Sequence, residues 1–313
     1  AVYPSRLQGL DRCRGTASPD ESTGTLVATI VRVDSVKGTP GYPPVSGGAI
    51  PTSTLQLNLV APVSIEEARA FVRIHHYSEV MPRITRVCLG GYINGGTQDE
   101  RLMAVATLGF GTRPLHTIRK LFPSLGTNDY LELGKLCVSD EMPPNSESWF
   151  IAQIVRHLKQ HHPEVILLFS WADGIIGKPG YVYQASNFFY GGFIWTEMYL
   201  DAQGNRCHVR SVQGDPRLPQ SSGAFKTRAY AETSKLGYQK FFGLQFRYLF
   251  PLCHKQEWEQ LRLESTVSWQ RGHYPKHVDC VWKKQTGKGT REACLLPTGI
   301  RTKYSIGRHA HQK

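Results

Sequence analysis

Tyr130-Leu-Glu-Leu-Gly-Lys-Leu-Cys-Val138, followed by Ser139-Asp-Glu-Met-Pro-Pro-Asn-Ser-Glu-Ser148, is the stretch on which the fold turns. Its first half alternates like a strand, and its second half is dense in turn formers and helix-capping types. A helix is expected from about Ser148 to Gln160, because Phe150, Ile151, Ile154, Val155 and Leu158 recur at helical spacing. Val165–Ser170 then reads as a short buried strand, and Tyr181–Tyr190 as a short aromatic helix.

Working outward, Leu55-Gln-Leu-Asn-Leu-Val60 alternates like a half-buried strand. Ser64-Ile-Glu-Glu opens a helix, with Ser64 as N-cap, acids in the first turn and Ala68, Phe71 and Val72 on one face. A hairpin follows: Arg86–Tyr92, a turn at Asn94-Gly95-Gly96, and Arg101–Phe110. Downstream, Phe193–Leu200 and Arg206–Val212 read as two strands joined by a turn at Asp201–Asn205, and Phe246–Pro251 as a last strand. Early hairpins around a strand–helix–strand–helix centre imply an α+β sandwich on a mixed sheet. Residues 1–55, rich in turn formers apart from a strand-like run at Thr25–Val33, are expected to be a loose extension. The main domain is expected at 56–280 and a basic tail at 281–313.

The formal charge of +12 favours polyanionic partners, although basic proteins also serve on ribosomes and membrane surfaces. No apolar run is long enough to span a bilayer, and the first residues do not read as a secretory signal, so no membrane partner is expected. Seven scattered cysteines without a CxxC pair argue against a disulfide framework and suit a reducing cytoplasm. His273, His277 and Cys280, with distant Cys294, have a spacing that a metal could use; a solvated basic loop is the plainer reading.

Chemistry concentrates in the centre. Asn145-Ser146-Glu147-Ser148 can cap a helix whose unpaired N–H groups and positive dipole end attract anions. Whatever else they do, Ser146 and Ser148 are expected to cap that helix. Asp173 ends a strand; Asp173-Gly174 is by default a turn, and His75-His76-Tyr77 by default a polar helix end. Tyr183-x3-Asn187-x2-Tyr190-Gly-Gly-Phe193 closes the unit, and its aromatics can equally be core. Glu132 reads as a structural or solvated carboxylate.

This order resembles the GNAT N-acyltransferases, in which a helix start in this place holds the cofactor pyrophosphate. Their glycine-rich loop is replaced here by Pro143–Ser148. The wording is closer still to the bacteriophage Mom family. His75-His76-Tyr77-Ser78, Asn145-Ser146-Glu147-Ser148-Trp149-Phe150, Ser170-Trp171-Ala172-Asp173, Gly180–Phe188, Phe246-Arg247-Tyr248 and Tyr274-Pro275-Lys276 resemble it in order and spacing across Pro62–Lys276.

The resemblance implies an enzyme of the bacterial host cytoplasm that converts adenine in double-stranded DNA to an N6-carbamoylmethyl derivative, shielding phage DNA from restriction. Carried over by motif, active-site positions fall on His76, Tyr77, Ser148, Asp173 and Tyr183. A position usually held by Arg falls on Lys135, which keeps the charge but loses the planar fork.

Adenine N6 is a weak nucleophile inside the duplex, so a base and an extruded nucleotide are expected. Asp173 is the candidate base, with His76 as the alternative. Tyr183 is a candidate proton donor to a leaving thiolate, and Tyr77 a stacking surface. Ser146, Ser148 and Lys135 are candidates for an acetyl-CoA cofactor; iron through His76, Asp173 and a tyrosine is left open, and the oligomeric state is unread. Two rival readings are an acetyl-CoA-dependent N-acetyltransferase acting on a protein or small-molecule amine, and a DNA-binding protein without catalysis.

Overall fold

The structure, a computed structural model, describes residues 55–111, 114–207, 209–218 and 230–296. The expected extension, with its Thr25–Val33 run, lies almost wholly outside these residues, as does everything after 296.

In chain order the elements are β1 (Leu59–Pro62), α1 (Ile65–His75), β2 (Thr85–Ile93), β3 (Arg101–Gly109), α2 (Pro114–Leu121), β4 (Tyr130–Val138), α3 (Ser146–His161) and β5 (Leu167–Ala172). They continue with α4 (Tyr181–Ala185), β6 (Phe189–Leu200), β7 (Arg206–Cys207), α5 (Val209–Gln213), α6 (Tyr230–Lys235), β8 (Gln239–Pro251), α7 (Lys255–Glu264), β9 (Trp282–Gln285) and β10 (Arg291–Cys294). The strands form one mixed sheet in the order β1-β2-β3-β4-β5-β8-β6-β7, with β9 on β8 and β10 on β9. The β4–β5 pair is parallel and every other described pairing antiparallel, so the expected α+β mixed-sheet sandwich is present.

Helices cover both faces because their apolar stripes need a partner. Ala68, Phe71 and Val72 of α1 pack on Cys88, Val105 and Cys137 of β2, β3 and β4. Phe150, Ile151, Ile154 and Leu158 of α3 enter the main core with Leu131, Leu133 and Leu168. Gly91 gives Phe150 its seat, since a Cβ there would lie 3.2 Å from the ring. A further core gathers Phe122, Phe169, Trp258 and Trp269. The start of α1 matches expectation: Ser64 Oγ accepts from Glu67 N–H at 3.2 Å, and the Glu67 carboxylate accepts from Ser64 N–H at 3.2 Å.

Several local expectations are corrected. The third helix begins at Ser146, and its N-cap is Asn145 in the left-handed region (φ 73°) with no side-chain cap. Neither Ser146 nor Ser148 caps it, because Ser146 Oγ donates back to Pro143 O at 2.7 Å. The aromatic helix stops at Ala185; Asn187 at φ 60° turns the chain, and β6 is already under way at Phe189. Arg206–Val212 is not one strand. Among its described residues only Arg206 and Cys207 find strand partners, on Leu200 and Tyr199, and α5 follows. Past residue 280, in the stretch read as a tail, Trp282 is buried and β9 pairs with β8.

Candidate active site

The site lies where two neighbouring strands part company. β4 and β5 pair only from Tyr130–Leu133 to Leu167–Ser170. Beyond that, β5 continues along β8 to Ala172, while β4 stays with β3 to Val138. At the divergence Lys135 faces Thr107 and Leu133 faces Leu108, which leaves Gly134 as the extra residue of a bulge. A glycine is required there. A Cβ on Gly134 would lie 2.8 Å from Pro82 Cγ, so the loop after α1 rests directly on the bulge. Beside it Thr107 Oγ1 is buried without a hydrogen-bond partner.

Helix α1 delivers the first two residues. His76 is its C-cap, with extended backbone and its N–H donating to Val72 O, so the chain leaves the helix at Tyr77. The Tyr77 hydroxyl donates to Asp173 Oδ2 at 2.7 Å across 96 residues of sequence. The rings of His76 and Tyr77 stack with centroids 4.2 Å apart. His76 Nδ1 lies 2.9 Å from Ser78 O and 3.0 Å from Ser78 N, so either tautomer finds a backbone partner at that nitrogen.

Asp173 is held at the end of β5 by a single tight turn. Ile176 N–H and Lys178 N–H both donate to Asp173 O, and Gly177 supplies the left-handed step (φ 76°). The turn brings Lys178 back so that its Nζ stands 4.0 Å from the centre of the Tyr77 ring. Lys135 Nζ donates to Ser78 O at 3.0 Å. Arg206 reaches Asp173 Oδ2 at 4.0 Å, and Gln245 Nε2 reaches Oδ1 at 3.4 Å.

Three cations thus surround one carboxylate, and they shape the protonation states. Burial, aided by Lys135 and Lys178, pushes the His76 imidazole down to about 3, so it is neutral near pH 7. Burial lowers Lys135 to about 8, against the pull of Asp173. Burial and then the Asp173 charge raise the Tyr77 phenol well above its ordinary range, so it stays protonated and donates. So depressed, the His76 imidazole is a weak base.

Tyr183 is buried in the core against Phe188 and Tyr248, with its hydroxyl hydrogen-bonded to Ser170. It feels the Asp173 charge without a hydrogen bond to it, and burial raises it to about 12. Ser146 and Ser148 sit apart at the start of α3. A cleft of about 230 Å³ opens there between Leu55, Gln56 and Leu57 and the Pro143–Ser146 loop, with Trp149 as a wall. Among the described residues no lysine or arginine lines it, and Glu147 occupies the first helical turn. Burial raises the Glu132 carboxyl to about 7.

Iron does not suit this donor set. Asp173 Oδ2 is taken by Tyr77 and faces Arg206, while Lys135 and Lys178 oppose a further cation beside His76. Among the described residues no group of three or more His, Cys, Asp or Glu side chains could hold a metal, and this covers His273, His277, Cys280 and Cys294. Sequence reasoning missed Lys178, Arg206 and Gln245. Lys178 carried a signal, since it closes the turn that opens at Asp173-Gly174; Arg206 and Gln245 arrive only through sheet pairing.

A family model described as the Mom protein family matches residues 58–276, the span in which every residue of this cluster lies. The chain belongs to the Mom family. A curated relative, "Methylcarbamoylase mom" of Escherichia phage Mu, is 32% identical over 146 residues. That alignment covers 46% of this chain and 58% of the relative, so the chain spans little more than half of the relative's length. Among solved structures, an N-acetyltransferase from Staphylococcus aureus Mu50 is matched at 14% identity and TM-score 0.32, over 62% of this chain and 96% of that one. A GNAT family N-acetyltransferase from Escherichia coli, solved in complex with CoA, is matched at 8% identity and TM-score 0.34, over 76% and 97%. These scores are too low for the likeness to bear on function. No helix among the described residues of this Mom-family chain is long and apolar enough to cross a membrane.

Proposed function

We propose that this Mom-family chain is a DNA modification transferase that attaches a carbamoylmethyl group to N6 of adenine in double-stranded DNA. The modification would protect phage DNA from restriction in the host cytoplasm. The observation that carries the reading is the hydrogen bond from Tyr77 to Asp173, which joins two motifs 96 residues apart at a strand divergence. Family membership and the chain's net positive charge support it.

In this reading the extruded adenine presents its amino group to Asp173 Oδ1, whose contact with Gln245 is long. The carboxylate accepts a hydrogen bond from N6–H and stands ready to take the proton that N6 must shed on substitution, and Tyr77, protonated throughout, fixes the other oxygen. His76 serves as a neutral stacking partner that holds the Tyr77 ring. Lys135, Lys178 and Arg206 offset negative charge that develops nearby. Tyr183 acts from behind, through Ser170, as a positioning residue.

The donor belongs to the acyl-CoA class in this reading, with Ser146 and Ser148 beside its uncharged arm. The cleft at α3 offers such a molecule largely apolar walls and, among the described residues, no cationic side chain. It fits an uncharged arm better than a pyrophosphate, and no step is routed through it. The test is to express the chain in bacteria, digest their DNA to nucleosides and weigh the deoxyadenosine. A mass-shifted nucleoside that disappears with Asp173→Ala is expected. Unshifted nucleosides from soluble wild-type protein would sink the proposal, and coenzyme A release with a protein or small-molecule amine, without DNA, would replace it.

A further inference from the structure

The hairpin β9–β10 takes no part in the chemistry above, yet it is rooted beside it. Trp282 is buried and its indole N–H donates to Ile175 O at 2.8 Å, two residues after Asp173. Trp282 also pairs with Gly243 on β8, and Gln245, two positions further along that strand, reaches Asp173. Two residues of strand span about 7 Å. The hairpin therefore leaves the sheet at the shoulder of the reaction centre.

Its exposed side chains are mostly basic, with Lys283 and Arg291 on one face of the ribbon and Lys284 on the other. Between Trp282 and Cys294 the chain carries Lys283, Lys284, Lys288 and Arg291 against Glu292 alone. Lys283, Lys288 and Arg291 are exposed and Lys284 half-buried, and among the described residues none of the four lies in an ion pair. Three of them are held over aromatic rings: Lys283 over Trp195 at 4.8 Å, Lys284 over Phe241 at 5.8 Å and Arg291 over Phe242 at 3.8 Å. Trp195 is itself 43% exposed. Such stacking restrains a long side chain while leaving its N–H groups pointing outward.

We infer that the β9–β10 hairpin, together with Trp195, is the surface that receives the phosphate backbone of double-stranded DNA flanking the modified adenine. This rests on the function proposed above. The charges are spread along an exposed two-stranded ribbon rather than gathered in a cleft, which suits an extended polyanion over a small anion. Their place beside Asp173 lets the backbone rest on the hairpin while one base turns into the site.

The test uses the full chain and a duplex of mixed sequence, with binding measured across a salt series. The variant carries Lys283→Gln, Lys284→Gln, Lys288→Gln and Arg291→Gln together. With about 0.9 counterions released per phosphate contact, its log–log salt slope should be shallower by about 3 to 4. Modification should need more DNA for half-maximal rate while the maximal rate stays near wild type. Thermal unfolding checks the fold; if the quadruple variant is unfolded, Lys283→Gln and Lys288→Gln singly should each shorten the slope by about 0.9. An unchanged slope in a folded variant, or tighter capture of single-stranded RNA or anionic vesicles than of duplex, would overturn the inference. A wild type that binds duplex steeply through these residues and modifies nothing would uphold the surface and sink the proposed function instead.

Discussion

The cluster at the β4–β5 divergence and the cleft at the start of α3 both come from motif-bearing sequence, yet they are built in opposite ways. In the cluster, His76, Tyr77, Asp173, Lys178, Arg206 and Gln245 arrive from four parts of the chain and touch one another. In the cleft, two segments, Leu55–Leu57 and Pro143–Trp149, form largely apolar walls, and the Ser146 hydroxyl is turned back to Pro143. The contrast teaches that shared charge and hydrogen bonds mark the chemistry, whereas a helix start alone marks only a place where something can lie.

The largest expected effect breaks the cluster at its centre. Asp173→Asn keeps an oxygen for Tyr77 but removes the charge, and the modification rate should fall by about 10² to 10⁴. A rate within threefold of wild type would show that the carboxylate is not the proton acceptor. Tyr77→Phe keeps the stacked ring and the contact with Lys178 but deletes the 2.7 Å hydrogen bond. Hydrogen bonds to charged groups contribute about 1.5 to 3 kcal/mol, so the rate should drop roughly 10- to 100-fold. A fall in melting temperature with full activity would assign that bond to stability alone.

The pH dependence sharpens the comparison further. Lys135 lies in the cluster and is depressed to about 8, so its charge is lost as pH rises through that value. Activity should decline on the alkaline side near pH 8, and Lys135→Arg should push that limb upward, since guanidinium stays charged. Stability moves the other way. A folded value below the unfolded one means that the unfolded chain binds more protons between about 8 and 10.5, so the cost of burying the ammonium is relieved as pH rises through that window. An alkaline limb identical in the two proteins would remove Lys135 from the chemistry. The smallest effects belong to the cleft: Ser146→Ala should cost about 1 kcal/mol of stability, and Ser148→Ala should change the rate less than threefold. A larger loss with Ser148→Ala, repaired by excess acyl-CoA, would move the donor's phosphate end back to the start of α3.

Much of this was legible in the sequence where local periodicity and tertiary packing agree. The Tyr130–Val138 strand, the Ser64-capped helix and the apolar face of α3 are all present. Misreadings fall where a neighbour decides. Arg206–Val212 alternates like a strand, but among its described residues only the first two have an edge to pair with. Helix α7 carries a weak apolar stripe in a polar segment, yet Trp258 and Leu261 find a ready core. Trp282 gave no periodic signal and is fixed by one indole hydrogen bond. At the site, motif position led to His76, Tyr77, Lys135 and Asp173, which converge. It also led to Ser146 and Ser148, whose separation could not be seen before the third helix was placed.

Gly134 carries a last consequence. Because the loop after α1 lies on a bulge with no side chain, Pro82 sits where a Cβ at 134 would intrude. The Pro82 ring is stiff, so even one methyl group at 134 would lift the loop as a unit and draw Tyr77 away from its acceptor. The spacing of the cluster then depends on a residue outside it, and tolerance to mutation should be lowest where the sheet is barest.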